Sequence, residues 1–372
     1  MCELTIQERA LNHNIRLVRR EAGDAKLIGV VKGNGYGLGL AELASRLVDG
    51  GVRTLAVSEL SDALKLRCYG IPAEIMLLTP LYDPIDLKDA LLSRVTLCID
   101  TKAGAAAAER MARSLDVGGN VQLCIDTGFG RYGLPWDDPQ KVWETARSLE
   151  RLRLTGTYSH LSRGAEESGE ESLRQYRRLT GLCEQLKAAG VEPGLRHLAD
   201  SYGLLNTPEI RLDAVRVGSA FLGRLPFQDR WGFERVGSLS ASVREVRSLA
   251  AGATVGYGAH YIARRKTRIA VVGAGYSHGF GVERTSRSGG GLRAALRVLR
   301  SGRREPELQP ERLRVRPSCR RGPRIGRSFQ GVRRGVRGAT ACRASSAREA
   351  RRRGVGRRRR VSICGEPFTS LT

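Results

Sequence analysis

Short, nearly uninterrupted apolar runs alternate with longer amphipathic stretches over residues 1–225. The runs Leu27–Val31, Thr54–Val57, Glu74–Leu78 and Thr96–Ile99 read as strands, as do Val121–Ile125, Leu154–Tyr158, Leu195–Leu198 and Ala214–Val217. Parallel strands covered on both faces are apolar throughout rather than alternating, and these runs have that texture. Between them lie helical patterns such as Gly39–Gly50 and Glu171–Ala189, the second ending at Gly190 as a helix C-terminus does. Eight such strands predict an α/β fold: an N-terminal (β/α)8 TIM-like barrel over residues 7–227. A doubly wound open sheet is the alternative. From Val236 the texture changes to strand-like segments, Leu239–Val246 and Thr267–Val272, separated by Gly-rich turns. They predict a small β domain over 228–282, joined by a strand at residues 1–6. From 283 to 372 neither helical nor strand periodicity is sustained, so the β domain is expected to be incomplete and the tail disordered or poorly packed.

Charge sharpens that division. The net charge of +25 suggests a nucleic-acid partner until it is divided along the chain. Residues 283–372 hold 26 Arg, 6 Glu and no Lys or Asp, a net +20, which leaves +5 for the rest. The first 282 residues therefore have the balance of an ordinary enzyme, and nucleic acid is not the expected partner despite the basic tail. No aromatic interleaving or recognisable module accompanies its arginines. An abrupt switch to Arg, Gly, Ser, Ala and Pro is also what a shifted reading frame in a GC-rich gene encodes.

No apolar stretch is long enough for a membrane span, and residues 1–6 lack the features of a secretion signal. The eight cysteines are scattered without a CxxC pair. Reduced thiols, a cytoplasmic location and no metal site are the expectation.

The sharpest local feature is Val30-Val31-Lys32-Gly33-Asn34-Gly35-Tyr36-Gly37-Leu38-Gly39. A lysine ending an apolar strand is costly unless its charge is lost or paired. At the C-terminal end of a barrel strand, where active sites sit, a desolvated lysine suits Schiff-base chemistry. A lysine snorkelling to solvent beside a glycine turn is the competing reading.

Val31-Lys32-x-x-x-Tyr36-Gly37-x-Gly39 resembles the cofactor-lysine signature of alanine racemases. The resemblance continues in order through Ile125–Gly133, Gly156–His160, His197–Ser201, Val215–Gly218, Val255–Gly258 and Gly275–Gly279. It implies pyridoxal 5'-phosphate held by Lys32 as a Schiff base, a small amino-acid substrate, and a homodimer with shared active sites. Lys32 and Tyr257 would be the two catalytic bases, Tyr257 reaching the opposite cofactor face across the dimer interface. Racemisation needs two faces, because a proton leaves one side of Cα and returns to the other. A turn tyrosine between Gly256 and Gly258 is the plainer reading of Tyr257.

Arg216 would donate to the pyridine nitrogen, and His160 would link Arg216 to Tyr257. An Arg216 ion pair with Asp213 is the structural alternative. Tyr36, Ser201, Gly218 and Ser219 would hold the phosphate end, with Tyr276 nearby, and Arg131 would meet both the cofactor's phenolic oxygen and the substrate carboxylate. The implied activity is interconversion of L- and D-alanine for cell-wall precursors. A racemase for serine or another small amino acid, and a non-catalytic pyridoxal-phosphate homeostasis protein, are the alternatives. The family's Cys-Met-Asp segment and late tyrosine are missing, since residues 281–372 contain no Met, Asp or Tyr.

Overall fold

The computed structural model describes residues 2–225, 230–259, 261–278 and 313–315. Its contacts divide the chain into two units, Ile6–Ser238 and Met1–Thr5 with Leu239–Thr372.

The larger unit is built on eight parallel strands. They are β1 (Lys26–Val30), β2 (Thr54–Val57), β3 (Glu74–Leu77), β4 (Leu97–Ile99), β5 (Gly119–Asp126), β6 (Leu152–Tyr158), β7 (Leu195–His197) and β8 (Ala214–Val217). Each pairs with its sequence neighbour, and β8 returns to β1 through Ala214↔Lys26 to Val217↔Gly29. A single parallel bridge, Met76↔Thr96, closes the ring between β3 and β4. All eight predicted strands are present, and the closed order excludes the open sheet.

Helices cover the outside in alternation with the strands: α1 (Glu8–Ala22), α2 (Leu40–Asp49), α3 (Leu60–Cys68), α4 (Pro84–Leu92), α5 (Lys102–Leu115), α6 (Pro139–Arg147), α7 (Glu170–Ala188) and the short α8 (Ser201–Asn206). Several start where the sequence supplies a cap. Asp83, Thr101 and Asp138 accept backbone N–H bonds at the starts of α4, α5 and α6. Fully buried Asn14 of α1 donates to Phe221 O and Glu234 O and accepts from Glu234 N, pinning the chain that follows the barrel. Inside the ring, Ile28, Val30, Ala56, Met76, Cys98, Cys124, Tyr158 and Ala214 form one packed layer. That layer floors the mouth at the strands' C-terminal ends.

The smaller unit holds antiparallel strand pairs. Val243–Leu249 pairs with Thr267–Val272, and Thr254–Val255 with Tyr261–Ile262. Gly237–Ala241 lies between Cys2–Ile6 and Leu313–Val315 in a three-stranded sheet. The expected strand Leu239–Val246 is thus two strands, divided at Ser242. Leu313–Val315 gives the tail one strand where the sequence pattern predicts none. The rest of 283–372 lies outside the described residues.

Candidate active site

Lys32 leaves the end of β1 and enters a left-handed turn. Gly33, Asn34, Gly35, Tyr36 and Gly37 have φ values of 63°, 52°, 62°, 56° and 82°. Glycine adopts this region freely and asparagine tolerates it, whereas an aromatic residue there is unusual. Asn34 also accepts from Leu40 N at 3.0 Å through Oδ1, fastening the turn to α2. The consequence is functional. Lys32 and Tyr36 both face one cavity.

That cavity, of about 440 Å3, collects Lys32, Tyr36, Arg131, His160, Ser201, Arg216, Gly218 and Ser219 from five separate parts of the chain. The backbone of Tyr257 lies in a short 3-10 turn of the smaller unit. The side chains of Tyr257 and Tyr276 lie outside the described residues. A second depression, of about 490 Å3, lies at the opposite end of the strands beside Arg53, Glu74 and Asn120. Its Arg67 guanidinium is spent on the carbonyls of Ala73, Ser93 and Arg94.

Arg216 is buried on β8. Its Nη1 contacts His197 Nδ1 at 2.7 Å and His197 O at 3.1 Å, while Nη2 donates to Ser159 O at 2.6 Å and Leu198 O at 3.2 Å. A guanidinium can only donate, so His197 Nδ1 accepts and its Nε2–H donates to Gln122 Oε1 at 2.8 Å. Burial, then the Arg216 charge, holds the His197 imidazolium form well below the usual histidine range. Tyr158 stacks on His197 at 4.9 Å and lies under the guanidinium at 5.2 Å. Asp213 is not the partner of Arg216. It pairs with Arg196 at 2.9 Å.

The histidine bonded to Arg216 is therefore His197, not His160 as the sequence resemblance implies. His197 and Gln122 were legible only as polar interruptions in apolar strands, where the barrel interior makes such residues expensive unless paired. His160 stands at the mouth with its ring 4.8 Å from that of Phe129. Its buried Nδ1 has no partner within the described protein. Burial, with Arg216, Arg131 and Lys32 around it, pushes its pKa down to about 3. Lys32 is shifted the same way, by burial first and by Arg131 and Arg216 next, with Asp200 opposing. The neutral amine that nucleophilic chemistry needs is favoured.

Arg131 is presented by a glycine-rich turn. Asp126 Oδ1 accepts from the backbone N–H groups of Gly128, Phe129 and Gly130, organising the loop after β5. The guanidinium then lies 4.5 Å over the Phe129 ring. Phe129 carries no charge or hydrogen bond that a sequence reading would single out, yet it contacts both Arg131 and His160.

At the other side of the mouth, Ser201 Oγ accepts from Gly218 N at 3.1 Å and Ala220 N at 3.2 Å. A Cβ at Gly218 would run into the Tyr36 hydroxyl, so glycine is required for this approach. Burial pushes the Tyr36 phenol up to about 12, keeping it a hydrogen-bond donor. With its oxygen accepting both N–H groups, the Ser201 hydroxyl keeps its own proton to donate, and beside the neutral Tyr36 phenol it forms a cradle suited to a small oxyanion.

Comparison with known proteins agrees with this architecture. The family model described as Alanine racemase, N-terminal domain matches residues 6–226, and that described as Alanine racemase, C-terminal domain matches residues 236–306. The similarity thus runs beyond residue 282. The alanine racemase of Carboxydothermus hydrogenoformans is 32% identical over 276 residues, covering 73% of this chain and 74% of the relative. That of Symbiobacterium thermophilum is 33% identical over 306 residues, covering 80% and 77%. The alanine racemase structure from Streptomyces coelicolor A3(2) superposes with a TM-score of 0.70 at 30% identity, covering 75% of this chain and 76% of that one. The chain belongs to the alanine racemase family of amino-acid isomerases.

Proposed function

We propose that this protein interconverts L- and D-alanine with pyridoxal 5'-phosphate held by Lys32. The observation that carries the reading is the convergence, in one barrel mouth, of a desolvated lysine, a buried arginine and an oxyanion cradle. The cavity volume lies in the range of cofactor sites. The donor set fits the group: Tyr36, Ser201, Gly218 and Ser219 would hold its phosphate, and Arg216 would face its ring nitrogen. Arg131 would meet its phenolic oxygen and a substrate carboxylate. His160, with its unpartnered buried Nδ1, would hydrogen-bond a group brought to the mouth.

When bound, pyridoxal phosphate draws electrons from the substrate's Cα and acidifies its proton. Arg216 is anchored by His197 and three carbonyls, so its charge stays in place, and facing the ring nitrogen it would donate a hydrogen bond without giving up a proton. The Lys32 amine, whose pKa is lowered by burial and by Arg131 and Arg216, would take or return the Cα proton on one face. Tyr257 of a second copy would serve the opposite face, which makes a homodimer part of the reading.

Among the described residues no helix is long and apolar enough to cross a membrane. We propose a cytoplasmic location and D-alanine supply for cell-wall precursors. Serine or another small amino acid is the alternative substrate. The match to the family's C-terminal domain favours a racemase over a barrel-only homeostasis protein.

The test is D-enantiomer formation from L-alanine, L-serine and L-lysine by the full chain with cofactor. Alanine should turn over fastest. Lys32→Ala should abolish both cofactor absorbance and racemisation, and Tyr257→Phe racemisation alone. Cofactor binding without turnover of any amino acid would overturn the racemase reading.

A further inference from the structure

Arg224 joins the two turns that carry the cradle. Its backbone N–H donates to Ser219 O at 2.9 Å, closing the turn after β8. Its guanidinium reaches the left-handed turn after β1, where Nη1 donates to Tyr36 O at 3.2 Å. Ser219 and Tyr36 both line the cavity, so one exposed side chain spans the two elements that would grip an anion.

Charge gives this position a second consequence. The cradle itself is built from the neutral Ser201 and Tyr36 hydroxyls, and the carboxyl of Asp200 lies close enough to influence the Tyr36 phenol. Arg216 is committed to His197 and backbone carbonyls, and burial favours the neutral form of Lys32. Arg224 is the cation whose charge is felt at the Tyr36 phenol, where it opposes the effects of burial, Tyr202 and Asp200. A dianionic ester seated against Tyr36 gains from it at modest cost, because an exposed arginine keeps its hydration.

We propose that Arg224 is a phosphate-recognition residue of this site, holding the two cradle turns together and adding positive charge at the phosphate end. This rests on the pyridoxal-phosphate reading above.

The experiment compares pyridoxal 5'-phosphate with pyridoxal, which lacks the phosphate. The full chain and its Arg224→Gln and Arg224→Lys variants are titrated with each, reading cofactor absorbance and tryptophan fluorescence at low and high salt. Arg224→Gln should weaken pyridoxal phosphate by about two- to fivefold, the size of an exposed ion pair. It should leave pyridoxal binding unchanged, which also shows that the site is still folded. Arg224→Lys should recover most of the loss, and the difference should shrink at high salt. Equal pyridoxal-phosphate affinity in the wild type and Arg224→Gln overturns the proposal alone. So does equal weakening towards both ligands, which would mark a purely structural contact. A wild-type chain that binds neither ligand overturns this inference and the cofactor reading together.

Discussion

Arg216 Nη1 lies 2.7 Å from His197 Nδ1, and that contact decides the state of both residues. An imidazole that accepts from a guanidinium is neutral, with its proton on Nε2, where Gln122 receives it at 2.8 Å. Three residues on three different strands thus form a relay whose only full charge is on Arg216. Gln122→Leu should leave the Nε2–H without an acceptor in the barrel interior. The expected cost is roughly 1–3 kcal/mol, measured as a lower urea midpoint. Unchanged stability would mean that His197 is held by stacking on Tyr158 rather than by the relay.

His160 should make the protein acid-sensitive. Its folded pKa of about 3 lies below the ordinary histidine value of 6.5. The unfolded chain therefore binds the proton first as pH falls from 6.5 towards 3, and stability declines across that window. The slope from this residue approaches roughly 1.4 kcal/mol per pH unit. His197 adds in the same direction. Urea midpoints between pH 7 and pH 4.5 should fall less steeply for His160→Gln than for the wild type. Equal slopes would show that His160 keeps access to solvent in the folded state.

Two glycines of the mouth should fail differently. At Gly33 a Cβ meets nothing within 4 Å, but φ is +63°. Gly33→Ala should therefore cost about 1 kcal/mol in backbone conformation, with little loss of cofactor affinity. At Gly218 the backbone is unstrained, but a Cβ collides with the Tyr36 hydroxyl. Gly218→Ala should displace Tyr36 and weaken pyridoxal phosphate more than pyridoxal. Titration with both ligands separates the two cases, and identical profiles would contradict the assignment of Gly218 to the phosphate end.

The barrel was legible because burial on both faces leaves a parallel strand no polar positions to disguise its run, as in Leu27–Val31 and Thr54–Val57. Lys32 was legible for the opposite reason, as a charge where an apolar run ends. His197 and Gln122 were hidden by the same rule, since a polar residue inside a strand becomes meaningful only when its partner on another strand is known. Phe129 and Arg224 left no signal in the chain pattern. Their roles come from what the loop after β5 and the turn after β8 bring within reach. The break at Ser242 was missed because the segments on either side, Leu239–Ala241 and Val243–Val246, both read as one strand.

The tail offers the remaining test. The residues lining the cavity lie between Val30 and Ser219, and the C-terminal family match ends at residue 306. Leu313–Val315 nevertheless pairs antiparallel with Leu239–Ala241. A chain ending at residue 315 should therefore bind pyridoxal phosphate as the full chain does and retain its racemase activity. It sheds 17 of the tail's 26 arginines. A chain ending at 306 also loses Leu313–Val315, one of the two strands flanking Gly237–Ala241. It should keep cofactor binding through Lys32, but the unit carrying Tyr257 should melt at lower temperature and racemisation should fall. Cofactor titration, racemase assay and calorimetry on the two truncations distinguish these effects. If removing 316–372 alone abolishes cofactor binding, the arginines act on the barrel mouth directly, and the charge of the tail must be reassigned from bystander to ligand partner.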